Sequence, residues 1–126
     1  MRFQCQLPWR VLGTAALLSY GALTQAQQSV AHVEGCTDWR FENGSFGTQN
    51  ACKESIVIQF MLMSDPRISV REVGPGKTFD TKLSPEAMKK TGWLFTACPV
   101  GHAPNPPLSM ANEDAILKSL YNCVKK

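Results

Sequence analysis

The sequence predicts a mostly β domain, a small antiparallel β-sandwich or partly open barrel of about five to seven strands with two short helical turns. Three observations predict it. Residues 56–63 alternate Ile56, Ile58, Phe60 and Leu62 with Val57, Gln59, Met61 and Met63, a period of two with apolar residues on both faces. Residues 93–98, Trp-Leu-Phe-Thr-Ala-Cys, form a second apolar run of strand length. Asn43-Gly44 sits between aromatic-bearing flanks, the strongest short-range hairpin signal.

The amino-terminal residues read as an export leader. Arg2 and Arg10 flank a basic start, residues 11–23 are almost wholly apolar, and Thr24-Gln25-Ala26 places small residues where a signal peptidase reads them. Cleavage is expected after Ala26, with residues 1–26 as signal peptide, 27–35 as a flexible lead-in and 36–126 as a single disulfide-containing β-rich domain. The apolar segment is shorter than the roughly 20 residues of a membrane span, so no membrane anchor is expected once the leader is gone. The whole chain carries 13 basic and 10 acidic side chains. Removing Arg2 and Arg10 leaves 11 basic residues and a net charge of about +1. Without a basic stripe interleaved with aromatics, nucleic acid is not an expected partner.

Cysteine usage agrees with export. Cys5 leaves with the leader, and Cys36, Cys52, Cys98 and Cys123 remain, an even number suited to two disulfides in an oxidising compartment. Three connectivities are open. The expected one is nested, Cys52 with Cys98 and Cys36 with Cys123, because it ties the two apolar strands together and fastens both ends.

The elements follow in order. The hairpin 39–46 should expose its Asn43-Gly44 tip. Asn43-Gly44-Ser45 also reads as an N-glycosylation sequon, although the turn alone accounts for the residues. The run 56–63 is the central strand, covered on both faces and stopped by Ser64-Asp65-Pro66. Residues 68–73 read as a half-buried strand, Gly74-Pro75-Gly76 as a turn, and 77–82 as a third strand completing a meander. Ser84-Pro85-Glu86 is an N-cap followed by proline and an acid, starting a helical turn over 85–90. Strand 93–98 should lie beside the central one. The proline-rich stretch 99–107 should be an extended loop or polyproline segment. Asn112 should cap a short helix with Ile116 and Leu120 on one face, and 121–124 returns to a strand.

The succession Asn50-Ala51-Cys52, apolar strand, Pro75-Gly76 turn, Phe95-Thr96-Ala97-Cys98 and Tyr121-Asn122-Cys123 resembles small exported cysteine-containing bacterial proteins of unknown function. The resemblance implies a compact β-rich domain and no catalytic residues. The hairpin 39–46 lies outside it.

Chemistry-bearing patterns are sparse. His32 precedes Cys36 by four residues and His102 follows Cys98 by four, a spacing compatible with zinc or copper. Disulfide formation would consume those thiols, so neither metal nor cofactor is expected. Gly44-Ser45-Phe46-Gly47 lacks the glycine spacing of a nucleophile elbow. Gly74-Pro75-Gly76 lacks the lysine of a phosphate loop, and Glu113-Asp114 point apart on a helix. No catalytic residue is assigned.

Binding is the better-supported class. Trp39, Phe41 and Phe46 give the hairpin more aromatic area than a two-stranded projection needs, and they are the candidate binding residues; the competing account is that they close one end of the core. The stretch 99–107 is a second candidate surface. The expectation is therefore a periplasmic or secreted binding or inhibitor-like module whose partner is an envelope or extracellular protein or a glycan. A structural envelope component is the alternative and a small hydrolase the third.

Overall fold

The structure, a computed structural model, describes residues 28–126; the expected signal peptide lies outside the described residues. Among the described residues, nine strands form three antiparallel three-stranded sheets. The strands are β1 (Ser29–Ala31), β2 (Trp39–Glu42), β3 (Ser45–Gln49), β4 (Ile56–Leu62), β5 (Asp65–Val73), β6 (Thr78–Leu83), β7 (Trp93–Pro99), β8 (His102–Asn105) and β9 (Asn122–Lys125). The first sheet runs β2-β3-β6, the second β5-β4-β7 and the third β8-β9-β1. Two short helices, α1 (Pro85–Lys89) and α2 (Glu113–Leu117), complete the chain with single 3₁₀ turns at Glu34–Cys36 and Met110–Asn112.

The alternation in β4 divides the molecule into layers. Ile56, Ile58 and Phe60 enter one core with Phe46, Val73, Phe79 and Ala97, between the first and second sheets. Met61 enters a second core on the opposite face with Leu94, Cys98, Leu108, Ile116, Tyr121 and Cys123, under α2 and the third sheet. β7 obeys the same period: Ala97 belongs to the first core, Leu94 and Cys98 to the second. Burying each large aliphatic side chain contributes about 1.5–3 kcal/mol, so the doubly covered β4–β7 pair is the principal stabilising unit. No barrel closes among the described residues.

Local signals set several elements as expected. Asn43 and Gly44 adopt φ of 54° and 77°, the two left-handed positions of a type I′ turn, with Glu42 opposite Ser45 and Phe41 opposite Phe46. The Ser84 side chain accepts a hydrogen bond from the Ala87 amide and caps α1. Lys77 N–H closes onto Gly74 C=O at 3.0 Å, with Gly76 at φ 72°, as a turn with proline second and glycine third requires.

Other expectations need correction. β4 and β5 form a hairpin, but the meander stops there, because β6 pairs with β3 in the first sheet. Asn50 redirects it: its amide donates to Lys77 C=O at 2.9 Å and its carbonyl accepts from Gly76 N–H at 2.9 Å. Gly47 then admits β6, since a Cβ there would lie 2.5 Å from the Phe79 carbonyl oxygen. Part of the supposed flexible lead-in is ordered: β1 pairs with β9, placing Val30 opposite Cys123. The proline-rich stretch contains β8, which folds back after a turn at Val100-Gly101 and pairs with β9; Pro104 is tolerated because β8 is an edge strand. Leu120 does not share the buried face of Ile116. The helix ends at Leu117, Ser119 takes φ 58°, and Leu120 is exposed.

The disulfides are Cys36–Cys52 and Cys98–Cys123, with Cα separations of 5.1 and 5.7 Å; the nested pairing is overturned. Strand parity is the reason. Cys98 faces the second core, whereas Cys36 belongs to the first, so a Cys52–Cys98 bridge would have to cross the central sheet. A hydrogen bond of 2.8 Å from Ala51 N–H to Cys36 C=O brings Cys52 beside Cys36 instead. Loops of this length make each bridge worth about 3 kcal/mol.

Candidate interaction surface

The three aromatic residues of the first hairpin occupy different environments. Phe46 is 7 % exposed and belongs to the first core. Trp39 packs against that core, with ring centroids 5.3 Å from Phe46, 5.5 Å from Phe60, and 5.1 Å from both Trp93 and Phe95. Phe41 remains 45 % exposed, touching the Phe46 ring at 5.0 Å. The opposite face of the hairpin carries an ion pair between Arg40 and Asp38. Of the three rings, only Phe41 offers substantial area to a partner. The four cysteines among the described residues, Cys36, Cys52, Cys98 and Cys123, are all disulfide-bonded. His32 stacks on Tyr121 at 4.8 Å, and His102 Nδ1 lies 3.2 Å from Val100 C=O.

Sheet edges differ in how they are closed. Beside β7, Val33 N–H donates to Ala97 C=O at 2.9 Å, and the Tyr121 hydroxyl accepts from Ala97 N–H at 2.9 Å. Burial, together with the Glu34 carboxylate beside it, raises the Tyr121 phenol well above its ordinary pKa. It stays protonated as a fixture of the fold.

β5 has no such cover. It is nine residues long, the longest strand among the described residues, and lies at the edge of the second sheet. Its seven residues from Pro66 to Glu72 are all exposed. Ile68 is 42 % and Val70 59 % exposed, against the half-buried strand expected from sequence. The layering explains this, because α2 and β8 lie against β7 at the other side of the sheet. Among the described residues, no segment pairs with the free edge of β5. An edge of this kind presents unpaired N–H and C=O groups in a row, a template for another strand.

Between β5 and β6 the two edges bound a groove of about 400 Å³. Asp65, Arg67, Ser69 and Arg71 line one wall, Asp80, Thr81, Lys82 and Leu83 the other, over Phe60 and Phe79. The Arg71 guanidinium carbon stands 5.1 Å above the Phe79 ring, within cation–π range. Both acids are already engaged. Asp65 pairs with Arg67 at 2.6 Å, and that hydrogen-bonded partner lowers its pKa. Asp80 accepts from the Ser45 hydroxyl and, at 2.8 Å, from Lys82 N–H, which lower its pKa likewise.

The alternation of residues 68–73 alone does not disclose this surface. The available signal was Pro66 with Arg67, Arg71 and Glu72 inside a strand-length run, a composition typical of edges rather than half-buried strands. No family model, curated protein or solved structure matches this chain.

Proposed function

We propose that this chain is an exported protein-recognition module acting by contact rather than catalysis, and that the free edge of β5 is its contact surface. The observation that carries this reading is the contrast between edges: that of β7 is capped by Val33 and Tyr121, while the longest strand is left uncovered with Ile68 and Val70 in solvent. A row of unpaired main-chain groups favours a polypeptide partner over a glycan, since strand addition supplies affinity through the backbone and specificity through alternate side chains. Two disulfides fit an oxidising environment, and the leader-like residues 1–26 support delivery to the periplasm or the exterior.

Immobilised mature protein, exposed to the proteins of its own compartment, tests the reading against an Ile68→Lys variant. Ile68 is exposed, so the substitution should change stability by no more than about 0.5 kcal/mol. The expected result is partner capture by wild type and its loss in the variant at an unchanged melting temperature. Equal capture by both proteins would refute the assignment of the surface to β5.

A further inference from the structure

We infer that the groove between β5 and β6 accepts an extended acidic segment of another polypeptide as an added strand, an inference that rests on the contact surface proposed above and names its ligand. The geometry supplies both parts of such a site. The free edge of β5 offers the main-chain ladder, and the adjoining groove of about 400 Å³ offers room for alternate side chains of the incoming strand. Residues of an added strand alternate in direction, so every second one would point into the groove and the rest would lie along Ile68 and Val70.

Charge decides what the inward residues are. The groove walls carry Arg67, Arg71 and Lys82 against Asp65 and Asp80. Arg67 is satisfied by Asp65. Asp80 is held by Ser45 and the Lys82 amide. Among the described residues, neither Arg71 nor Lys82 has a carboxylate oxygen within ion-pair distance. Arg71 stands at the groove over the Phe79 ring, a guanidinium whose donors suit a carboxylate. An inward glutamate or aspartate thus meets on each wall a cation without a carboxylate in ion-pair contact, although the Lys82 charge also acts on Asp80. An inward lysine meets only like charge and acids already in use. The apolar floor of Phe60 and Phe79 accommodates the methylene stem of an inward glutamate.

The test uses the folded mature protein and two labelled peptides, one alternating valine with glutamate and one alternating valine with lysine, followed by fluorescence anisotropy. The glutamate peptide should bind saturably and weaken as salt rises, the lysine peptide should bind at least tenfold more weakly, and Arg71→Glu should invert the preference. Amide exchange of the wild-type complex should slow within residues 67–72. Failure of the glutamate peptide to bind, equal binding of both peptides, or a preference insensitive to Arg71→Glu would overturn the inference. If whole-protein capture remains sensitive to Ile68→Lys while the peptides fail, the β5 surface stands and the acidic-strand ligand falls. If both fail, the surface falls with it.

Discussion

Replacing Trp39 by alanine separates a fold role from a contact role for the first hairpin. The indole contacts Phe46, Phe60, Phe79, Trp93 and Phe95, with centroid separations of 5.1 to 6.2 Å. It bridges β2 and β3 to β4 and β7. Truncation removes that packing and opens a cavity between the first two sheets, a change that costs about 3–5 kcal/mol for a large aromatic side chain. For a domain of this size each kcal/mol moves the melting temperature by about 4–8 °C, so the drop should be at least about 12 °C. Trp39→Phe provides the internal control. The indole N–H is buried without a partner, so phenylalanine sheds an unsatisfied donor while keeping most ring contacts, and its cost should be about 1 kcal/mol. Phe41→Ala, at the exposed end of the hairpin, should also cost about 1 kcal/mol through loss of its ring contact with Phe46. Thermal unfolding followed by near-ultraviolet circular dichroism reads all three. A Trp39→Ala protein melting within about 4 °C of wild type would refute the core assignment and return Trp39 to the contact surface.

Two further predictions concern buried polar groups. Asn50 is 1 % exposed; its side chain donates to Glu54 C=O at 2.8 Å and Val73 C=O at 2.9 Å, and accepts from Cys52 N–H at 2.9 Å. Asn50→Ala should cost about 3 kcal/mol or more in denaturant unfolding, and Asn50→Asp should not rescue it, because a carboxylate would face two carbonyl oxygens; a cost under about 1 kcal/mol for either variant would contradict this network. Tyr121 is the only tyrosine among the described residues. Because its folded-state pKa lies above the ordinary value of 10.0, the folded state retains a proton that the unfolded chain releases, so its contribution is intact below about pH 10 and is lost as pH rises further. Phenolate absorbance should therefore appear only with alkaline unfolding, and a native titration near pH 10 would contradict the buried phenol.

Much of the fold was legible because its determinants are local. The alternation of Ile56 to Leu62, the Asn43-Gly44 turn and the Ser84 cap each act within a few residues. Of the third sheet only β9 was legible, as the strand expected over 121–124. Ser29–Ala31 has neither the length nor the alternation of a self-evident strand and is specified by pairing with β9, nearly the whole chain away. Prolines likewise concealed β8, whose edge position tolerates them. Disulfide connectivity depends on which face of β7 Cys98 occupies, a parity that takes meaning only once both cores exist. For the candidate surface, the sequence disclosed that Ile68 and Val70 lie on a strand, but not that the covering layer stops short of them. The hairpin aromatics drew attention for their area, and packing then placed Trp39 and Phe46 against the first core.

The most direct test of β5 as the contact surface is photo-crosslinking in the native compartment, with the reactive side chain placed at Val70 in one protein and at Asn43 on the hairpin tip in another. Both positions are exposed, so neither replacement removes core packing, and the left-handed φ of 54° at position 43 adds a cost of about 1–2 kcal/mol that the two disulfides of the domain offset. The account predicts a discrete adduct to another protein from position 70 and none from position 43. Adducts from position 43 with none from position 70 would contradict it and return the contact to the first hairpin.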